Sequence, residues 1–147
     1  MKNDINRVEK ASELFSKGYN CSQAVFCAYS DLFGIDDETS LKLSSGFGGG
    51  FGRMREVCGA FSAVTLLAGL KFSDDDPKSK AEVYEKIRML ADEFRNRNGS
   101  IICGELLGER KAPESHIPAE RTQEYMKKRP CPEIVEEAAK LVEEYIL

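Results

Sequence analysis

Apolar residues recur at helical spacing along nearly the whole chain. Ile5, Val8, Ala11 and Phe15 mark the first stripe, and Gly18 supplies a stop. A second helix begins behind Asn20, with Gln23 placed to complete a capping box and Gly34 to end it. A short helix is expected over about Asp37 to Ser44, and the glycine-rich stretch "SSGFGGGFG" follows. From Val57 to Leu70 the chain is almost continuously apolar, which reads as a buried helix too short to span a bilayer. "SDDDPKSK" is a helix-start signal with Pro77 near the first turn, and behind it Val83, Ile87, Leu90, Ala91 and Phe94 share one face.

"NRNGS" breaks that helix, "ICGELLG" reads as a brief helical turn, and "ERKAPESHIP" is irregular. Arg121 to Lys128 forms a further short helix, and the last helix carries Ile134, Ala138, Leu141 and Tyr145 as its stripe. No segment alternates like a strand flanked by hairpin turns. The pattern predicts an all-α fold: a compact bundle of about five main helices, short extra helices and a glycine-rich loop. One domain covers residues 1–147.

Composition narrows the function classes. Hydrophobic residues at 41% and charged residues at 31% are those of a globular protein. A formal net charge of −4 argues against a nucleic-acid binder, which needs a basic face. The start "MKNDINRVEK" is charged where a secretory signal has its apolar core, so a cytoplasmic location without membrane insertion is expected.

The glycine loop invites a phosphate-binding reading and fails its tests. A P-loop ends in Gly-Lys-Ser/Thr, whereas this one ends in "GFGRMRE". Counting a dinucleotide fingerprint from Gly46 puts Phe51 at the third glycine position, and counting from Gly48 puts Arg53 there. No nucleotide cofactor is expected. The loop could still form a nest of N–H groups for an anion beside Arg53 and Arg55, or simply connect two closely packed helices.

Five cysteines call for a reason, because cytosolic thiols stay reduced and a disulfide framework explains little. Four of them fall at expected helix starts, where free N–H groups and the helix dipole lower a thiol pKa: Cys21, Cys58, Cys103 and Cys131. Cys27 lies about 240° round the helix from Cys21 and reads as a packed core residue. Cys58 and Cys103 each precede a glycine, which lets another backbone or a cluster approach the sulfur. On these grounds Gly48, Gly49, Gly50 and Gly59 are the candidate cofactor-binding glycines. His116 is the only histidine, which excludes a two-histidine metal site.

The order of these elements resembles the redox-active protein family named C_GCAxxG_C_C: Cys21, then "CGAFSA" at Cys58 to Ala63, then Cys103 and Cys131. The likeness covers nearly the whole chain. Ala63 departs from it, standing where the family motif has its second glycine. The resemblance implies a four-cysteine redox site, with the four thiols as catalytic residues or metal ligands. Part of the split-Soret cytochrome c is also similar, which favours an iron–sulfur cluster; without C-x-x-C-H no covalent haem follows. Two functions remain open at this point. One is a thiolate site for electron transfer or thiol–disulfide exchange, with or without an iron–sulfur cluster, serving a redox partner protein. The other is a binding module stapled by structural zinc. Assembly with further copies of the chain is also open.

Overall fold

The computed structural model describes residues 5–109 and 111–147, so the first four residues and Arg110 of the irregular stretch lie outside it. Eight helices carry the fold among the described residues. They are α1 (Arg7–Ser16), α2 (Cys21–Tyr29), α3 (Asp37–Ser44), α4 (Gly59–Phe72), α5 (Lys80–Asn98), α6 (Cys103–Leu107), α7 (Gln123–Lys128) and α8 (Cys131–Tyr145). The only extended pairing described is an isolated antiparallel bridge between Val57 and Ile102. The all-α expectation holds, and α1, α2, α4, α5 and α8 are its main helices. No described helix is long and apolar enough to cross a membrane.

Two helices form the centre because they are apolar on every side. In α4 the first six residues, Gly59 to Val64, are all buried, as are Leu67 and Ala68. In α2 every residue from Ala24 to Tyr29 is buried. These two pack on each other; α1, α3 and α8 surround α2, while α5 and α8 cover α4. The Phe61 and Phe94 rings meet at a 5.3 Å centroid separation and 60°, an edge-on contact that fixes α5 against α4.

Local signals set the ends. Asn20 accepts from the Gln23 N–H while the Gln23 side chain accepts from the Asn20 N–H, so the expected capping box is complete. A 3-10 turn from Ser30 to Phe33 continues α2, and left-handed Gly34 closes it. Asp36 and Thr122 cap α3 and α7 through their side chains.

Two expected core positions are displaced. Ile5 is 44% exposed; Arg7 is buried instead, because its guanidinium donates to the Ala28 carbonyl and the Asp31 carboxylate. At the other end Tyr145 is half-exposed and Ile146, past the last helical residue, takes the buried place.

Cys27 sits in this core, 2% exposed, with its sulfur 3.5 Å from the Asp37 carboxylate. Burial and the Asp37 charge push its thiol up to about 11, so it stays protonated. Cys27→Ala is therefore expected to cost on the order of 1 kcal/mol in denaturant unfolding, as a mild core truncation. Reversible oxidation of the remaining thiols should be unchanged.

Candidate functional site

The four other cysteines are placed by helix starts that face one another. Cys21 is the first residue of α2, Cys103 of α6 and Cys131 of α8, and Cys58 is the N-cap of α4. The bridge between Val57 and Ile102 fixes two of them side by side. The Cys58 N–H donates to the Ile101 carbonyl and the Cys103 N–H to the Glu56 carbonyl, both at 2.7 Å. Ser100 caps a turn before α6 by accepting from the Ile102 N–H, so Ile102 rather than Ser100 is the helix cap. Cys21, Cys58, Cys103 and Cys131 all line one cavity of about 280 Å³, and Cys27 does not.

The glycine loop forms one wall, and its shape is unusual. Gly49, Gly50 and Gly52 have φ of 66°, 71° and 58°, and Phe51, Arg53 and Arg55 are also left-handed, at 62°, 69° and 60°. The chain thus makes a left-handed turn from Gly49 to Arg53, a conformation costing roughly 1–2 kcal/mol at each non-glycine residue. Side-chain contacts hold those three residues in place. The Phe51 ring packs on Phe47, Arg53 donates to the Ser115 and Ile117 carbonyls, and Arg55 donates to Glu109. The loop is a fixed wall rather than a loose connection.

Its glycines serve close approach. A Cβ on Gly50 would lie 2.7 Å from the Cys103 Cβ, and one on Gly59 would lie 2.7 Å from the Cys21 sulfur. The Gly49 backbone N–H helps to lower the Cys21 thiol, so this loop acts on a thiol. Gly48 approaches the Asn20 side chain. The four glycines singled out in the sequence therefore all lie at this wall, and each has a contact that accounts for it. Gly104, after Cys103, lies instead against the Arg55 backbone, where a Cβ would be 3.4 Å from its carbonyl.

The four thiols are not equivalent. Cys21 is drawn down to about 7, first by the Cys58 thiol donating to its sulfur, against burial, and then by the Gly49, Ala60 and Ser22 N–H groups. Cys58 moves the other way: its bond to Cys21, burial and the Cys21 charge all keep it protonated. Burial also raises Cys103, although the Arg55 guanidinium 3.9 Å away opposes it. Cys131 is pushed up to about 11 by burial and by the Cys21 and Cys103 charges.

Behind these sulfurs stands a charged frame that the sequence reading missed. Glu109 bridges Arg55 at 2.7 Å and Arg129 at 2.9 Å. Burial alone would raise its carboxyl, but the two guanidinium groups hold it below the usual carboxylate range. Arg129 also lies over the Tyr125 ring. Arg121 donates to the Phe15 and Tyr19 carbonyls, tying the segment before α7 to the α1–α2 corner. Arg129 had one local signal, its place two residues before Cys131; Glu109 and Arg121 had none. His116 is exposed and lines the outer part of the cavity.

A single tetrahedral metal ion needs its sulfurs within about 2.3 Å of one point. No group of three or more His, Cys, Asp or Glu among the described residues converges in that way. An iron–sulfur cluster spreads its cysteine ligands over more than one iron atom. Cys21, Cys58, Cys103 and Cys131 are the residues that would hold one.

An all-helical fold with four cysteines round one cavity is the class of protein that the structure defines. The family described as "Putative redox-active protein (C_GCAxxG_C_C)" matches residues 19–145, and the chain belongs to it. No curated protein and no solved structure matches significantly, so the likeness to split-Soret cytochrome c finds no support there.

Gly59 and Gly69 lie in the same helix and make opposite demands. Gly59→Ala should force the Cys21 sulfur away, costing about 1–3 kcal/mol as overpacking and raising the Cys21 pKa. Gly69 has nothing within 4 Å of an added Cβ, so Gly69→Ala should be neutral or stabilise by up to about 1 kcal/mol. Chemical denaturation and the pH dependence of thiol alkylation measure both effects.

Proposed function

We propose that this protein is a thiol–disulfide oxidoreductase in which Cys21 is the attacking thiolate and Cys58 the resolving thiol. The observation that carries this reading is the placing of Cys21 against the Cys58–Gly59 start of α4, where both thiols line one cavity and a Cβ on Gly59 would lie 2.7 Å from the Cys21 sulfur. The two thiols are shifted in opposite directions, Cys21 down to about 7 with Cys58 as the first cause, and Cys58 up. A thiolate is the nucleophile in exchange, and a pKa near ambient pH gives the best balance of thiolate fraction and nucleophilicity.

The exchange follows from that asymmetry. The Cys21 thiolate attacks a substrate disulfide, forms a mixed disulfide and releases the first substrate thiolate. Cys21 then carries no charge, which removes the main influence holding Cys58 protonated. Cys58 gives its proton to the departing thiolate and attacks the Cys21 sulfur. This closes a Cys21–Cys58 disulfide and releases the second substrate thiolate. Two electrons have passed to the substrate, and a small dithiol reductant returns them.

A second reading rests on a different observation: four thiols at helix starts line the same cavity. That arrangement supports an iron–sulfur cluster held by Cys21, Cys58, Cys103 and Cys131 and used for electron transfer.

Alkylation by iodoacetamide, with each cysteine quantified by peptide mass, tests the nucleophile. Cys21 should react first, its rate climbing as pH rises through about 7 and fading below it, because only the thiolate reacts. Cys58→Ala removes the thiol donor and should move that midpoint upward. A Cys21 that reacts only at the unperturbed thiol value of about 8.5 sinks the assignment. The cluster has its own measurement, which is anaerobic purification with iron, acid-labile sulfide and a visible spectrum. A brown protein containing both elements selects the cluster; a colourless one forming the Cys21–Cys58 disulfide on oxidation selects the dithiol.

A further inference from the structure

The cavity that holds the thiols is charged in one sense only. Among the described residues, Arg53, Arg55, Arg121 and Arg129 line it and no aspartate or glutamate does, in a chain whose net charge is −4. Glu109, behind the wall, pairs with Arg55 and Arg129. Arg53 and Arg121 are different, because their partners are main-chain carbonyls: Ser115 and Ile117 for one, Phe15 and Tyr19 for the other. A carbonyl orients a guanidinium without cancelling its charge. Two oriented positive charges therefore face a cavity whose remaining wall includes Phe15, Leu106, Leu107, Met126 and Ile134.

We propose that the cavity selects small anionic disulfides or thiols, carrying carboxylate groups, and that Arg53 and Arg121 are the residues that select them. This rests on the nucleophile assignment for Cys21 and adds the substrate class. Size follows from access. Cys21 is half-buried, Cys58 and Cys103 are only 6% and 8% exposed, and His116, Pro118 and Ala119 also line the cavity, so a disulfide held flat on a folded protein surface does not reach the sulfurs. A low-molecular-weight disulfide does, with its carbon skeleton on the apolar wall and its carboxylates near the guanidinium groups. The exchange is the one written above; the arginines take no part in bond making and act by binding and orienting the anion.

Two alkylating reagents that differ in charge provide the test. Iodoacetate and iodoacetamide both form a carbon–sulfur bond to Cys21 and release iodide, but only iodoacetate is an anion. The quantity read is the ratio of their rate constants at Cys21, relative to the same ratio for a free small thiol. In the wild-type protein this relative ratio should be raised by about tenfold, and added salt should lower it. Arg53→Gln and Arg121→Gln keep an amide donor and lose the charge, so each should bring the ratio down, and the double variant should reach the free-thiol value. Arg53→Lys and Arg121→Lys should retain the advantage, which separates charge from any loosening of the segment these side chains hold; circular dichroism checks equal helicity. With disulfide substrates, oxidised glutathione should be favoured over neutral bis(2-hydroxyethyl) disulfide through a lower KM. If Cys21 leads with iodoacetamide but iodoacetate gains nothing, or if neither glutamine variant changes the ratio, anion selection is overturned and the nucleophile stands. If iodoacetamide does not favour Cys21, the nucleophile assignment falls and this inference falls with it.

Discussion

The site depends on one close approach, between the Cys21 sulfur and the backbone of Gly59. The two are so near that a Cβ on Gly59 would stand 2.7 Å from the sulfur and 2.8 Å from the Phe47 carbonyl. That proximity sets Cys58 and the Gly49, Ala60 and Ser22 backbones round Cys21, where they lower its thiol. It exists because the two most buried helices meet at their N-terminal ends. Their small residues, Ala24 and Ala28 in one and Ala60 and Ala63 in the other, are all fully buried. Interiors packed at crystal-like density do not slide, so the sulfur is held by the core rather than by its own loop.

The helices were legible in the sequence because each carried its own local signals. The Asn20–Gln23 box, the glycine at the end of α5 and the stripe of α8 are decided within a few residues. The burial of Arg7 went unread for the opposite reason. Its burial depends on Asp31 and the Ala28 carbonyl, more than twenty positions away, and no local pattern announces a partner at that range. The same division runs through the site. Four thiols at helix starts and the glycines beside them could be read locally, whereas the Glu109 bridge and the Arg121 tie join segments far apart in the chain.

The glycine loop lay between these extremes. Its composition announced an unusual backbone, and left-handed φ values confirm that the glycines are needed for shape. Composition did not say that Phe51, Arg53 and Arg55 would share that conformation. Three strained residues in one turn are tolerated only where the surroundings over-determine them. Here each is fixed through its own side chain, and two of the partners, Glu109 and the Ser115 and Ile117 carbonyls, come from the segment after α6, which also gives His116, Pro118 and Ala119 to the cavity. Strain in the loop and closure of the cavity are therefore one arrangement. The arginine that is forced left-handed at position 53 is also the one that reaches across.

Charge decides how many of the four thiols can act at once. A poorly solvated site with one thiolate opposes the next, and the direction of every shift agrees: Cys21 is lowered, while Cys58, Cys103 and Cys131 are raised. The Cys21 charge itself contributes to raising the other three. With protein groups alone, this is a site for one thiolate and one waiting thiol, which is what a two-step exchange requires. Four thiolates together would need positive charge beyond that of the lining arginines, of which Arg55 and Arg129 are already shared with Glu109. The irons of a cluster would supply it, since metal ligation and thiol deprotonation are coupled. The dithiol and cluster readings thus differ in a physical variable, the number of sulfurs ionised at neutral pH, although both use the same four residues.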